Sequence, residues 1–471
     1  MKYSRLSNFT KQDFCQQPNR ALRGTNLRRV CLFFCFAVLS TASFAQQKDS
    51  SNAATDALTL DDCINFALQH QPSIKQTAID IEIARTTNAI NLAGALPQAN
   101  LNGTLTHYIN LPTNFVNNNG TLTKQKTGIE NTFTPSVTVT QSIFSPSLLY
   151  AKKAAPLYVK QAQQINDSTK IDIIVAVSKS FYSLLLTLEQ INVLKEDTAR
   201  LQKSYHDTYH QYVAGIADET SYEEALISLN NSKASLRTST ESIKPLYATL
   251  KQAMGYEPEK QFNVMFDTLQ MIKEVNFDTT QLLQYDKRIE LQVLHTQKSL
   301  QKQETDYYKS AWLPTASAFF NYYLPFQNNT LASLFGTSYP YSNIGVQFSM
   351  PIFTGFSRTN SIKRSKLQED VIDLSELSLK SQIYTEYSNA LASYKSNAYN
   401  LDVLRENKAL ATRVYKVVEL QYFQGIVPYL NVITAESNLI TSEIGYINAL
   451  FQLLSSKIDL ERAMGLIPVN R

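Results

Sequence analysis

The sequence contains one pair of residues with the spacing of metal ligands. His206 and His210 stand four residues apart, which places both on one face of a helix, as in a zinc-binding helix. The residue after the first histidine is Asp207, where zinc proteases have a general-base glutamate, and no third ligand is evident. A solvated helix face is therefore the favoured interpretation.

Other catalytic patterns are missing from the sequence. It has no Walker loop, no GxSxG elbow and no dinucleotide-binding fingerprint. The carboxylates of the helical segments have the pattern of ordinary surface charge. We predict that the protein is not an enzyme and that it has no catalytic residue, no cofactor and no metal ligand.

The elements that carry these residues form a long internal repeat with an offset of 210 residues. Ala253–Gly255 followed by Pro258 recurs as Ala463–Gly465 followed by Pro468. The matching positions upstream are Tyr212, Gly215, Ile216, Ala225 and Leu229 in the first copy and Tyr422, Gly425, Ile426, Ala435 and Leu439 in the second. A repeat of this length indicates two copies of one structural half. We predict a first repeat at 46–255, a linker at 256–280 and a second repeat at 281–471.

Residues 1–45 are predicted to be a secretory signal peptide. Seven basic residues precede the apolar run Val30–Leu39, and Ser43–Ala45 offers small residues at the −3 and −1 positions of a cleavage site. A transmembrane anchor is the alternative, but the run is well short of the ~20 residues that a spanning helix needs. No later segment has 18 consecutive apolar residues, so we expect no spanning helix in the rest of the chain.

Removing residues 1–45 changes the charge and the cysteine content. The whole chain has 44 basic and 40 acidic residues, of which this segment holds seven and one, so 37 and 39 remain and the net charge becomes −2. That balance gives no basis for a nucleic-acid partner. Cys63 alone remains, so no internal disulfide can form, and Gln46 stands where a lipid-carrying cysteine would be needed.

Four segments have the period-two alternation of membrane strands. Phe133, Val137 and Val139 alternate with Ser and Thr, and Ile344 to Phe348 repeats the pattern. The predicted strands are at about 98–111, 132–144, 315–324 and 342–353. A soluble sandwich is the alternative, but aromatic residues cluster at the strand ends, which favours a membrane. The polar segments 112–130 and 325–341 are predicted to be long exposed loops.

Most of the remaining chain is predicted to be helical. Three- and four-residue spacings give a coiled-coil-like seam at Phe181, Leu184, Leu188, Ile191 and Leu194. A less regular seam follows at Leu401, Leu404, Val414, Val418 and Tyr422. Residues 366–424 contain neither Pro nor Gly, enough for a helix of about 90 Å. Thr59 and Asp62 have the spacing of a capping box at the first helix.

Glycines are predicted to end these helices. Gly215 and Gly425 each separate the two helices of a pair, and Gly255 and Gly465 each end the second helix. Each half then consists of a helix, two strands joined by a long loop, and a long antiparallel helix pair.

Four strands cannot close a membrane barrel. The smallest closed barrels have about eight strands, and an open edge in lipid leaves backbone groups without hydrogen bonds. Two chains would supply eight strands and three would supply twelve. The sequence therefore requires an oligomer without fixing the number of copies.

With these motifs in this order, the chain resembles the TolC-like outer membrane efflux proteins, also called outer membrane factors. The resemblance extends from about Leu58 to Pro468. Its motifs are Leu58–Asp62, Leu96–Pro97, Gln141–Phe144, Tyr212–Gly215, Leu313–Pro314, Pro351–Gly355 and Tyr422–Gly425. Each motif is short, but their order and duplication make the resemblance specific.

The resemblance implies a mixed α and transmembrane β fold. A trimeric 12-stranded β-barrel in the cell outer membrane, with four strands per chain, would continue into a long antiparallel α-helical barrel in the periplasm. The implied function is a passive exit duct of a tripartite efflux pump or type I secretion system. The implied partners are two further copies in a homotrimer, a periplasmic adaptor (membrane fusion) protein, an inner-membrane transporter and outer-membrane lipid.

The resemblance also implies that the helix turns lie at the periplasmic tip. Candidate adaptor-contact residues are Tyr212, Gly215, Ile216, Tyr422, Gly425 and Ile426. The best-known gate of the family has charged residues where this chain has Ser221, Val427, Asn431 and Thr434. The candidates for an entrance constriction are therefore Tyr422, Asn431 and Thr434, with Asp218 and Glu219 as a separate source of charge. Simple helix capping is the alternative role for both turn glycines.

The alternative function is a periplasmic coiled-coil scaffold without a pore. A scaffold would account for the signal peptide and the helices. It would not account for the aromatic residues at the strand ends or for the long loops.

Overall fold

Long helices, one larger antiparallel sheet and two two-stranded sheets make up the part of the chain that the computed structural model describes, which is residues 57–118, 120–265, 275 and 277–469. The predicted signal peptide lies outside these residues, as does part of the predicted linker. The helices are α1 (Leu60–His70), α2 (Pro72–Ala93), α3 (Pro146–Val213), α4 (Glu219–Met254), α5 (Ile289–Ser310), α6 (Ser357–Phe423) and α7 (Tyr429–Met464). The strands are β1 (Ala57–Leu58), β2 (Gln98–His107), β3 (Thr113–Asn118), β4 (Thr121–Lys126), β5 (Asn131–Phe144), β6 (Asn263–Val264), β7 (Thr315–Tyr323), β8 (Phe326–Asn328) and β9 (Tyr341–Ser349).

Two helical hairpins, α3–α4 and α6–α7, form the body of the chain. Helices α3 and α6 have 68 and 67 residues, a length of about 100 Å at 1.5 Å per residue. The predicted seam of α3 is buried, with Leu188 only half-buried. The second seam is incomplete, since Val414 is 52% exposed whereas Leu401 is buried. The ten-residue step from Leu404 to Val414 rotates Val414 out of the seam.

The shorter helix of each hairpin ends against the start of another helix. At the end of α4, the Gln71 side chain donates hydrogen bonds to the carbonyls of Gln252 and Ala253, both at 3.1 Å. A Cβ at Gly255 would lie 2.8 Å from the Gln71 Cα. At the end of α7, a Cβ at Gly465 would lie 2.8 Å from a backbone carbonyl just before α5. Glycine is needed at both joints because there is no room for a side chain.

The main core lies where α1, α3, α4, α6 and α7 meet. Cys63 is buried and free there, and burial raises the pKa of its thiol to about 12. The predicted capping box is present, with the Asp62 amide 3.3 Å from the Thr59 hydroxyl and the Thr59 amide 3.0 Å from the Asp62 carboxylate. Within the described residues, α3 contains one 18-residue stretch apolar enough to cross a membrane, with mean hydropathy 1.7. Half of that stretch is buried inside the chain.

The described part of the segment 256–280 packs against the helices. Phe262 is buried in the core. The Tyr394 hydroxyl of α6 donates to the carbonyl of Val275 at 2.7 Å and accepts from the amide of Phe277 at 3.0 Å. Strand β6 pairs in parallel with β1.

Strands β2, β5, β7 and β9 form the sheet in that order, all antiparallel. Two of them are shorter than expected. Strand β2 ends at His107 instead of residue 111, and β9 ends at Ser349 instead of residue 353. Pro112 and Pro351 lie shortly beyond these ends, and proline has no N–H to donate to a neighbouring strand.

The two predicted loops contain more secondary structure than expected. In the first loop, β3 and β4 pair as an antiparallel hairpin, in which the Gly120 amide donates to the Asn117 side chain at 2.9 Å. Gly120 has a φ of 87°, as tight hairpin turns require. In the second loop, β8 pairs with the start of β5, and the rings of Phe133, Phe326 and Phe335 pack together.

Candidate channel surfaces and helix tips

The sheet has one apolar face that is exposed in the single chain. The pairing places Val139, Phe320 and Ile344 side by side on neighbouring strands. Ile344 is 82% exposed and Phe348, four residues along β9, is 73% exposed. Large apolar side chains that are contiguous and exposed mark a surface that contacts a membrane or a partner. The face is the one that the period-two pattern predicts.

The opposite face of the sheet is polar and uncharged. It presents Ser, Thr and Asn side chains, and Asn321 donates to Asn343 across two strands at 3.0 Å. Strands β2, β5, β7 and β9 contain no Asp, Glu, Lys or Arg. The ring of Phe319 covers Gly345, where a Cβ would lie 2.6 Å from a ring carbon. A polar, water-compatible surface thus lies opposite a lipid-compatible one.

Each helical hairpin turns at a glycine in the left-handed region. The φ angles are 71° at Gly215 and 73° at Gly425. The Ile216 amide donates to the Gln211 carbonyl at 2.8 Å, and the equivalent bond in the second turn is 2.9 Å. This hydrogen-bond pattern is typical of a helix that ends at a residue in the left-handed conformation. Helix capping therefore accounts for the backbone conformation of both glycines. Among the described residues other than the chain neighbours of each glycine, no atom lies within 4 Å of a Cβ built at either position, so both turns are open to their surroundings.

The two turns differ in charge, as their sequences predict. The Asp218 carboxylate caps α4, accepting from the Ser221 amide at 3.1 Å and from its hydroxyl at 2.6 Å. These bonds, the hydroxyl's above all, lower the pKa of Asp218. Glu219 accepts from the Tyr222 hydroxyl at 3.4 Å. At the second turn Pro428 precedes α7 without a side-chain cap. The acidic residues of the first turn are thus engaged within their own hairpin.

Tyr422 joins the two hairpins just behind the turns. Its hydroxyl donates to the Gln211 side chain at 2.5 Å, and its ring lies 5.4 Å from that of Tyr429. The Tyr429 hydroxyl is 2.5 Å from that of Ser204 on α3. Burial raises the pKa of Tyr422 and raises the pKa of Tyr429 to about 12. Tyr422 therefore holds the tips together within one chain.

Asn431 and Thr434 lie on the exposed side of α7. Val432 and Ala435 are buried against the neighbouring helices, whereas Asn431 and Thr434, which precede them directly, are exposed. The Thr434 hydroxyl donates to the Leu430 carbonyl of its own helix at 2.9 Å. The structure brings these two candidates onto one surface, apart from Asp218 and Glu219, which belong to the other hairpin.

Several exposed apolar residues at the turns did not enter the sequence prediction. Ile216 and Ile426, which did, are 78% and 64% exposed. The further exposed residues are Val213, Phe423 and Leu430. Their signal in the sequence is that they are apolar, stand beside the turn glycines and have no place in either helical seam.

The paired histidines of α3 make no metal site with their neighbours. The His206 ring nitrogen lies 3.0 Å from the Gln202 side-chain nitrogen, and His210 packs against Tyr209. In the described ranges, no group of three or more His, Cys, Asp and Glu side chains is placed to hold a metal ion.

The fold defines a class of protein: an antiparallel sheet with one lipid-compatible face, attached to helical hairpins about 100 Å long. The particular family follows from comparison with known proteins. The model of the outer membrane efflux protein family matches residues 63–256 and 287–466, and the chain belongs to this family. The resemblance expected from the sequence is confirmed, together with an outer-membrane location and a non-enzymatic class of protein.

Individual relatives are distant in sequence. The probable efflux pump outer membrane protein TtgC of Pseudomonas putida is 20% identical over 316 residues, which cover 64% of this chain. The chain spans 62% of the length of that relative.

Solved structures share the fold. CusC, described in a study of folding and transmembrane channel formation, has a TM-score of 0.71 at 15% identity, covering 86% of this chain and 91% of CusC. The outer membrane protein VceC of Vibrio cholerae has a TM-score of 0.67 at 15% identity, covering 86% of this chain and 96% of VceC. The chain thus has a TolC/CusC-like fold of long antiparallel helices and short strands.

Proposed function

We propose that the protein is the outer-membrane exit duct of a tripartite efflux pump or type I secretion system. Three copies form a passive channel whose barrel crosses the outer membrane and whose helical tunnel extends into the periplasm. A periplasmic adaptor docks at the helix tips, and an inner-membrane transporter supplies the energy.

The observation that carries this proposal is the open sheet with its exposed apolar face. Strands β2 and β9 are the edges, and among the described residues neither has a further strand on its outer side. In lipid, such an edge would leave backbone N–H and C=O groups without hydrogen bonds. Other copies of the chain must therefore pair with both edges. Three copies would supply twelve strands, the number that the family resemblance implies.

The helix tips supply the adaptor surface in this proposal. Ile216 and Ile426 expose apolar side chains beside turns whose glycines leave room for another backbone. The length of the helices supports the same role, because helices of about 100 Å extend far beyond the ~30 Å core of a bilayer. The related efflux proteins, which include the pump component TtgC, support assembly with a transporter.

A pair of lysine substitutions tests the orientation of the sheet. Ile344→Lys places a charge on the apolar face, where it would cost about 2–4 kcal/mol in the middle of a bilayer. Asn343→Lys places the same charge one residue away on the polar face. We expect Ile344→Lys to reduce the amount of folded protein in the outer-membrane fraction several-fold and Asn343→Lys to leave it near wild type. Equal recovery of both variants in a soluble periplasmic fraction would favour the scaffold.

We further propose that Tyr422, Asn431 and Thr434 contribute to an uncharged constriction at the tunnel entrance. The double variant Asn431→Ala/Thr434→Ala would widen it and raise single-channel conductance. Thr238→Ala on α4 is the matched control, because its hydroxyl also donates to its own helix, at 3.0 Å. Unchanged conductance in the double variant would remove both residues from the constriction.

A further inference from the structure

Two carboxylates are buried between the hairpins, behind the helix tips. Asp197 of α3 is 0% exposed and Glu436 of α7 is 1% exposed. The Arg200 guanidinium bonds directly to Asp197, and its Nε lies 3.8 Å from a Glu436 carboxylate oxygen. Neither Glu436 carboxylate oxygen has a hydrogen-bond partner among the described residues. One of the two Asp197 carboxylate oxygens also lacks a partner there. The two buried carboxylates thus share one guanidinium as their cationic partner.

The charges around this pair leave at least one negative charge in excess if both carboxylates ionise, and Glu419 of α6 adds to that excess. Helix α7 also contributes Glu443, 4.0 Å from Arg200 and 4.0 Å from Lys408 of α6. Two cations then face three carboxylates. A buried charge without a partner is strongly destabilising, and binding a proton removes that charge.

The remaining groups around the pair do not supply another cation. Helix α6 presents Tyr415, whose ring lies 5.9 Å from the Arg200 guanidinium and whose hydroxyl donates to Glu419 at 3.1 Å. Helix α4 presents the neutral Ser232, bonded to Thr198 at 2.9 Å. The nearby Lys233 of α4 and Glu196 of α3 are exposed, and Lys233 donates to Gln202.

We propose that Asp197 and Glu436 form a shared proton-binding site that couples the packing of α3 against α7 to pH. One proton and one guanidinium together neutralise the two carboxylates. Loss of the proton adds a negative charge between the helices and loosens them.

The electrostatics support the same assignment. Burial raises the pKa of Glu436 to about 7, against the opposing attraction of Arg200. Burial also raises the pKa of Asp197 to about 6, although Arg200 is bonded to it. Because the folded state holds the proton more tightly than an unfolded chain, the contribution of Glu436 to stability is complete below about pH 4.5 and is lost as the pH rises through about 7.

The position of the pair connects it to the tips. Ser204 lies one helical turn beyond Arg200 on α3 and bonds to Tyr429, two turns before Glu436 on α7. The Gln211–Tyr422 bond follows nearer the turns. A change in packing at the carboxylates therefore acts on the contacts that join the two tips.

Infrared difference spectroscopy of the purified full-length protein tests the proton directly. We expect a protonated-carboxyl band in the wild type that disappears with a midpoint near pH 7. Glu436→Gln should remove the band, and Glu406→Gln, at an exposed position on α6, should retain it. The absence of a titrating band from the wild type, or its persistence in Glu436→Gln, would overturn the proposal.

Hydrogen exchange tests the coupling to the helices. After correction for intrinsic rates, amides of 204–213 and 429–436 should exchange several-fold faster at pH 8 than at pH 6 in the wild type, and equally in Glu436→Gln. An identical response of both proteins would exclude the coupling. If Glu436→Gln fails to fold, Asp197→Asn serves instead: leaving Glu436 alone beside Arg200 should lower the band midpoint by about one pH unit. An unchanged or higher midpoint would contradict a shared site.

Discussion

Single glycines fix where the long helices end, and their surroundings differ in a way that can be measured. Gly215 and Gly255 have nearly equal φ angles, 71° and 67°. Space around Gly215 is open, whereas a Cβ at Gly255 would lie 2.8 Å from the Gln71 Cα. Within the chain, Gly215 is needed only for its backbone conformation, whereas Gly255 is also needed for the close approach of α2.

The same substitution at both positions separates these two effects. Gly215→Ala should lower the free energy of unfolding by about 1 kcal/mol, the cost of a left-handed alanine. Gly255→Ala should lower it by at least about twice as much, because the α4–α2 joint must also shift. Denaturant unfolding of the detergent-purified protein measures both. Equal losses would show that the joint adapts without cost.

At the scale of elements, one buried arginine ties three helices together. Arg288 precedes α5 and donates to the Ala463 carbonyl at the end of α7, at 3.0 Å. It also bonds to Glu290 at 3.0 Å and to Glu386 of α6 at 2.8 Å. Its charge is kept because these two carboxylates raise the pKa of Arg288, although its burial, the largest single influence, opposes them.

Removing this arginine should weaken the joint between the helices. Arg288→Met leaves a carbonyl without its donor, and we expect a loss of about 2–3 kcal/mol in the free energy of unfolding. The exposed Arg237, paired with Glu241 one turn away, is the matched control, and Arg237→Met should cost no more than about 0.5 kcal/mol. Similar losses from both would mean that the Arg288 contacts contribute little to stability.

Local sequence patterns predicted the helices and strands better than they predicted the contacts between them. Alternation in β5 and β9 predicted the apolar face because side chains in a strand alternate between faces. The turn glycines predicted the helix ends because few other residues adopt a left-handed backbone. The hairpin β3–β4 was missed since its polar composition is shared by loops. The Asp197–Glu436 pair was missed because it joins residues 239 positions apart, and only the fold brings them together.

At the scale of the whole molecule, a single chain leaves apolar surface uncovered on both the sheet and the helix tips. The sheet has an exposed apolar face and two open edges, and the tips expose apolar side chains. A lipid bilayer would cover the apolar face of the sheet, and further copies of the chain would pair with its edges. An adaptor would cover the apolar side chains of the tips. The division into repeats at 46–255 and 281–471 stays a prediction; it would give each copy two equivalent sections of the barrel.

Electrical recording from the purified, membrane-inserted protein tests whether several copies enclose one water-filled pore. We expect discrete and uniform conductance steps in planar bilayers, because every completed barrel would have the same polar, uncharged lining. Incorporated oligomers that carry no current under any applied voltage would contradict it.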